Sequence, residues 1–137
     1  MSPRLRRGPD LGITLLAACG DAVLILLFAV IGRASHGEHD ASRAIPALMT
    51  AGPFLAGWFA SAPLLGAYSH RALRDSSSGV QATARAWLGG CLIGLLLRSA
   101  GERRLVPLTF ALVALLFNLA TLSTWRWALA RVAGRHL

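Results

Sequence analysis

Apolar residues in this chain gather into four runs, and charged residues fall between them. The runs cover residues 11–31, about 44–68, about 80–97 and about 105–124. Each can reach the roughly 20 residues with which a helix crosses a hydrocarbon core of about 30 Å. The pattern predicts an all-α integral membrane four-helix bundle, a single domain over residues 1–137. Because the breaks are short, consecutive helices should be antiparallel, up-down neighbours. The strictly apolar part of the third run, residues 86–97, would rise only about 18 Å. That span therefore has to start near Val80, with residues 76–79 as the preceding turn and Arg85 reaching back to the headgroups. In the second span Pro53 and Pro63 each delete a backbone hydrogen bond, so a kinked helix is expected. Residues 128–137 read as a basic C-terminal tail.

Composition agrees with lipid as the main solvent. The set AVILMFWYC makes up 55% of the chain and charged residues 15%, with a mean hydropathy of +0.56. A soluble fold of 137 residues could not bury that much apolar surface. The formal charge of +8 comes from 14 cationic residues, all arginine. These lie at the ends of the apolar runs, where membrane topology uses them, and form no basic face beside exposed aromatics. Nucleic acid is thereby excluded as a partner and membrane lipid expected. The N-terminus (Arg4, Arg6, Arg7), the second loop (Arg71, Arg74, Arg85) and the C-terminus (Arg126, Arg131, Arg135) outnumber the first loop (Arg33, Arg43) and the third (Arg98, Arg103, Arg104). That asymmetry puts both termini in the cytoplasm. Tyr68, Trp87, Trp125 and Trp127 then lie near the same interface. The basic start and the run Leu16-Ala17-Ala18-Cys19 resemble a cleaved leader, but ten apolar residues follow Asp21, so the segment is read as an uncleaved first span. Cys19 and Cys91 read as buried thiols without a disulfide framework.

Asp21 is the sharpest candidate for chemistry. Ten residues into the first span, it lies about 15 Å deep. An acid there costs about 2.5 to 3.5 kcal/mol on the insertion scale, while each large apolar residue returns about 0.3 to 0.6. The helix still inserts. Matching depths from the expected helix ends makes Asn118 the partner of Asp21, with Thr14 and Thr121 on the same faces. Together they would form a buried polar or ion site, the alternative being side chains bonded to their own helix carbonyls. A second constellation follows the first span: Arg33, Ser35, His36, Glu38, His39 and Asp40. Its spacing matches no strong metal motif, and capping of the helix end by Arg33, Ser35 and His36 is the simpler role. No metal or cofactor is called for, and no nucleophile stands with a matched base. Small residues recur every fourth position at Gly52, Ala56 and Ala60 and at Ala86, Gly90 and Gly94. Such stripes let helices pack closely, within the monomer or in a homodimer or larger membrane complex.

Taken together, Asp21, the run Gly32-Arg33-x-Ser35-His36-Gly37-Glu38, Pro53-Phe54-x-x-Gly57-Trp58, Trp87 and Trp125-Arg126 resemble the prokaryotic DUF3054 family. The resemblance covers nearly the whole chain. It implies a small four-span membrane protein of bacteria or archaea without an assigned activity, and hence the bacterial cytoplasmic membrane. Three roles stay open on the sequence: a proton- or cation-coupled transporter using Asp21, a structural or accessory subunit, and a membrane enzyme or metal-binding protein at the outer loop.

Overall fold

In a computed structural model, residues 10–35 and 44–136 are described. They form five helices: α1 (Leu11–Ser35), α2 (Ala44–Leu64), α3 (His70–Arg74), α4 (Ser76–Glu102) and α5 (Leu108–His136). All but the short α3 are long and apolar enough to cross a membrane. α4 packs on α2 and α5, and α1 closes the bundle by packing on the same two helices, while α3 leans on α4 and α5.

The core of the bundle is aromatic. Phe28, Phe54, Trp58 and Trp87 are all buried. Phe28 meets Phe54 edge-on with centroids 6.2 Å apart, an arrangement in which ring quadrupoles attract. The Trp87 indole donates to the Leu115 carbonyl at 3.0 Å, tying α4 to α5. Large aliphatic residues such as Leu16, Leu27, Leu92 and Leu116 are exposed on the outside. A surface of this kind suits a lipid solvent and offers no hydrophobic drive for helices to associate, so contact depends on close fit.

That fit is tightest between α2 and α4. A Cβ added to Gly57 would collide with the Gly90 carbonyl, and one added to Gly94 would come within 2.5 Å of the Phe54 ring. Ala86, Gly90 and Gly94 are buried. The expected stripe on α2 is not the contact: Ala56 and Ala60 are exposed and a Cβ on Gly52 would meet nothing. The helical period of about 3.6 residues puts Ala51, Phe54, Gly57, Trp58 and Ser61 on the buried face instead.

Several boundaries differ from the sequence expectation. α2 ends at Leu64, with Pro63 in its last turn. Gly66 adopts φ +78°, the Ala67 amide donates to the Ala62 carbonyl at 2.9 Å, and the Gly66 amide donates to that of Pro63 at 3.4 Å. This is a Schellman end, and only glycine takes its left-handed residue without cost. Residues 76–79 are not a turn but the first turn of α4. The Asp75 carboxylate caps it by accepting from the Ser78 amide at 2.8 Å. Hydrogen bonding from Ser78 holds the Asp75 carboxyl below the usual carboxylate range. Residues 128–136 are not a tail but the continuation of α5, with Leu129, Ala130 and Ala133 buried. Cys91 is buried as expected, whereas Cys19 is exposed.

The two stripes make a matched test. Gly94→Leu has to push α2 away, because its new side chain would overlap the Phe54 ring, whereas Ala56→Leu points outward. Thermal melting in detergent should show a clear drop for Gly94→Leu, of the about 1–3 kcal/mol typical of overpacking or more, and little change for Ala56→Leu.

A buried ion pair as candidate functional site

Asp21 lies in α1 with no exposed surface, and Arg126 of α5 is 1% exposed. Arg126 Nε donates to Asp21 Oδ1 at 2.9 Å, and Nη2 donates to Oδ2 at 2.7 Å. The two parallel bonds are the fork geometry in which a guanidinium grips a carboxylate most firmly. The remaining arm of Arg126, Nη1, donates to the Ala67 carbonyl at 2.7 Å. That carbonyl is presented by the turn that Gly66 makes possible, so the local end of α2 builds one wall of the site.

The next residue of the same turn supplies a second wall. Tyr68 Oη donates to Asp21 Oδ2 at 2.7 Å and accepts from Trp58 Nε1 at 3.1 Å. The Arg126 guanidinium lies 4.7 Å from the Tyr68 ring centroid, close enough for a cation–π contact. Burial, followed by the field of the Asp21 carboxylate and their hydrogen bond, pushes the Tyr68 phenol far above its ordinary range. The phenol therefore stays a donor at any physiological pH. Both carboxylate oxygens are engaged, and the two charges cancel inside a shell of side chains.

The pair joins α1, α5 and the turn after α2. Since Arg126 reaches Ala67, beyond the end of α2, the site is level with that turn and lies ten residues inside both α1 and α5. Past it, Ile13 and Ala17 of α1 pack with Leu73 of α3 and Leu129 and Ala133 of α5 in a second, smaller core. α3 closes this end of the bundle.

The polar seam expected around Asp21 does not form. Asn118 Nδ2 donates to Ala114 at 3.0 Å, Thr121 Oγ1 to Phe117 at 2.9 Å and Thr14 Oγ1 to Asp10 at 3.0 Å. Each bonds a carbonyl of its own helical turn, as such residues do when no neighbour competes. Depth measured from a helix end near Trp127 selects Asn118 as the partner, but α5 runs to His136. Asp21 is ten residues past the start of α1 and Arg126 ten before the end of α5, so the correct end selects Arg126. The sequence did carry a signal: a membrane acid demands an opposite charge, and Arg126 follows Trp125 in an apolar run.

Asn118 Oδ1 and Thr83 Oγ1 are buried without a hydrogen-bond partner among the described residues. At the other end of the bundle Arg33 Nη1 donates to Thr50 Oγ1 at 3.4 Å. His36, Glu38, His39 and Asp40 lie outside the described residues, as does the side chain of Ser35.

A family model described as "Protein of unknown function (DUF3054)" matches residues 18–129. No curated protein and no solved structure matches the chain. The matched segment contains Asp21, Tyr68 and Arg126, all three members of the network.

The network makes a graded set of expectations for melting in detergent. Tyr68→Phe keeps the ring over Arg126 but removes one donor to Asp21, at a cost of about 1–3 kcal/mol. Asp21→Leu alone strands a buried guanidinium and should cost about 3–5 kcal/mol, while Asp21→Leu combined with Arg126→Met should recover most of that loss. A double variant as unstable as the single one would show that the pair does not act as a unit.

Proposed function

Since the chain belongs to the DUF3054 family, whose description assigns no activity, we propose a function from its geometry: a structural or accessory membrane protein. In this reading the Asp21–Arg126 pair locks the bundle's shape. One observation carries it: the Asp21 carboxylate accepts three hydrogen bonds, two from a guanidinium and one from a phenol, with none of its surface exposed. A carrier needs a carboxylate that exchanges a proton or opens a coordination site toward water. Here the group is neutralised in place. Outward-facing apolar residues then leave lipid and neighbouring membrane proteins as the surfaces on which the bundle acts.

A specific observation favours a second reading, a proton- or cation-coupled transporter. Asn118 Oδ1 and Thr83 Oγ1 are buried polar atoms without a partner among the described residues, and such groups are ordinarily satisfied by internal water or an ion. The two readings part in liposomes. For a lock, the reconstituted protein gives no pH-driven flux above empty vesicles. For a carrier, it gives flux that Asp21→Asn abolishes while the purified variant stays folded.

We also propose that both termini face the cytoplasm of a cytoplasmic membrane. Arg71 on α3 and Arg131 and Arg135 on α5 are exposed at the end where α1 begins and α5 finishes, whereas Arg126 turns inward and adds no surface charge. Reporter fusions after Asp75 and after Leu137 should be active in the cytosolic format, and one after His39 in the exported format. Export of the Leu137 fusion would overturn the orientation.

A further inference from the structure

At the end of the bundle opposite the ion pair, a cavity of about 520 Å³ lies where α1 and α4 finish and α2 and α5 begin. Its floor is apolar: Phe28 of α1 and Phe110 of α5 line it, with ring centroids 6.0 Å apart. Its rim is cationic. Among the described residues, Arg33, Arg98 and Arg104 line it together with the acid Glu102. Arg98 Nη2 stands 2.8 Å from Glu102 Oε1 and Arg104 Nε 3.3 Å from Glu102 Oε2. Among the described residues, two guanidiniums thus share one carboxylate. The Arg98 guanidinium also lies 4.8 Å from the Phe110 ring centroid, which joins the charged rim to the apolar floor.

The cavity reaches the outside of the bundle, because Val113 lines it and is 56% exposed. One turn further along the same side of α5, Leu116 is also exposed. A ligand lying here would touch guanidiniums at one end and continue over apolar surface into lipid at the other. A soluble anion satisfies only the rim, and a neutral hydrocarbon only the floor. We propose that this cavity binds an anionic phospholipid, its phosphate between Arg98 and Arg104 and an acyl chain over Phe110 and Val113. Arginines near a membrane surface attract anionic headgroups, at about 1 kcal/mol for each. The site stands apart from Asp21 and holds whether that residue locks the bundle or moves ions.

The test uses the full chain purified in a neutral detergent. Dioleoyl phosphatidylglycerol, dioleoyl phosphatidylcholine and inorganic phosphate are added separately, and bound lipid is read by native mass spectrometry and thermal shift. Phosphatidylglycerol should be retained and raise the melting temperature well beyond phosphatidylcholine. Removing charge with Arg98→Gln or Arg104→Gln should weaken that retention about fivefold each, whereas Arg131→Gln, at the other end of the molecule, should leave it unchanged. Glu102→Gln frees both guanidiniums and should tighten binding, which keeps the test decisive if the arginine variants fold poorly. Equal retention of the two lipids, or no gain with Glu102→Gln, overturns the proposal. A shift of the same size with inorganic phosphate alone overturns the lipid as occupant and leaves a soluble-anion site.

Discussion

A charge inside a membrane protein has to be neutralised where it stands, and the rest of this bundle is arranged around that requirement. Asp21 on α1 and Arg126 on α5 are buried together, and neither is tolerable in that setting without the other. Their geometry fixes more than two helices. The third arm of Arg126 takes the Ala67 carbonyl, and Tyr68 takes the second carboxylate oxygen. The turn after α2 is therefore held to the α1–α5 pair by a carbonyl and a phenol. α3 and the start of α4 follow within a few residues, so the order of the whole end of the bundle depends on one ion pair.

The remainder of the molecule is held by shape. Between α2 and α4 the glycines at 57, 90 and 94 let backbones and rings approach to a distance that any side chain would prevent. The two mechanisms divide the bundle: polar bonding joins α1 to α5, and close contact joins α2 to α4. Neither needs water to drive it. That matters in lipid, where burying a leucine gains little over leaving it exposed.

The number of spans and the bundle were legible because hydrophobicity over 20 residues is a strong signal, as is the role of Asp21 as the residue most in need of a partner. Which face of each helix packs was not, since helices apolar all round carry no usable periodicity. Hence the stripe at Gly52, Ala56 and Ala60 was indistinguishable from the buried set around Gly57. Helix ends failed for a different reason. Polar residues after Thr124 and before Val80 read as breaks in the hydrophobic pattern, yet the backbone stays helical through them, capped by Asp75 at one end and buried through Leu129 and Ala133 at the other. Misplacing the end of α5 moved the partner of Asp21 by two turns, from Arg126 to Asn118.

The two halves of the central ion pair are separated by 105 positions of sequence, and this sets a condition on how the protein is made. α1 emerges from the ribosome well before α5. At about 5–20 residues per second, roughly 5 to 20 seconds pass between them. Throughout that interval the first span carries an acid whose counter-ion has not yet been synthesised. Biogenesis thus requires that α1 be kept where its carboxylate can stay hydrated, or sheltered by the insertion machinery, until the final helix arrives to complete it.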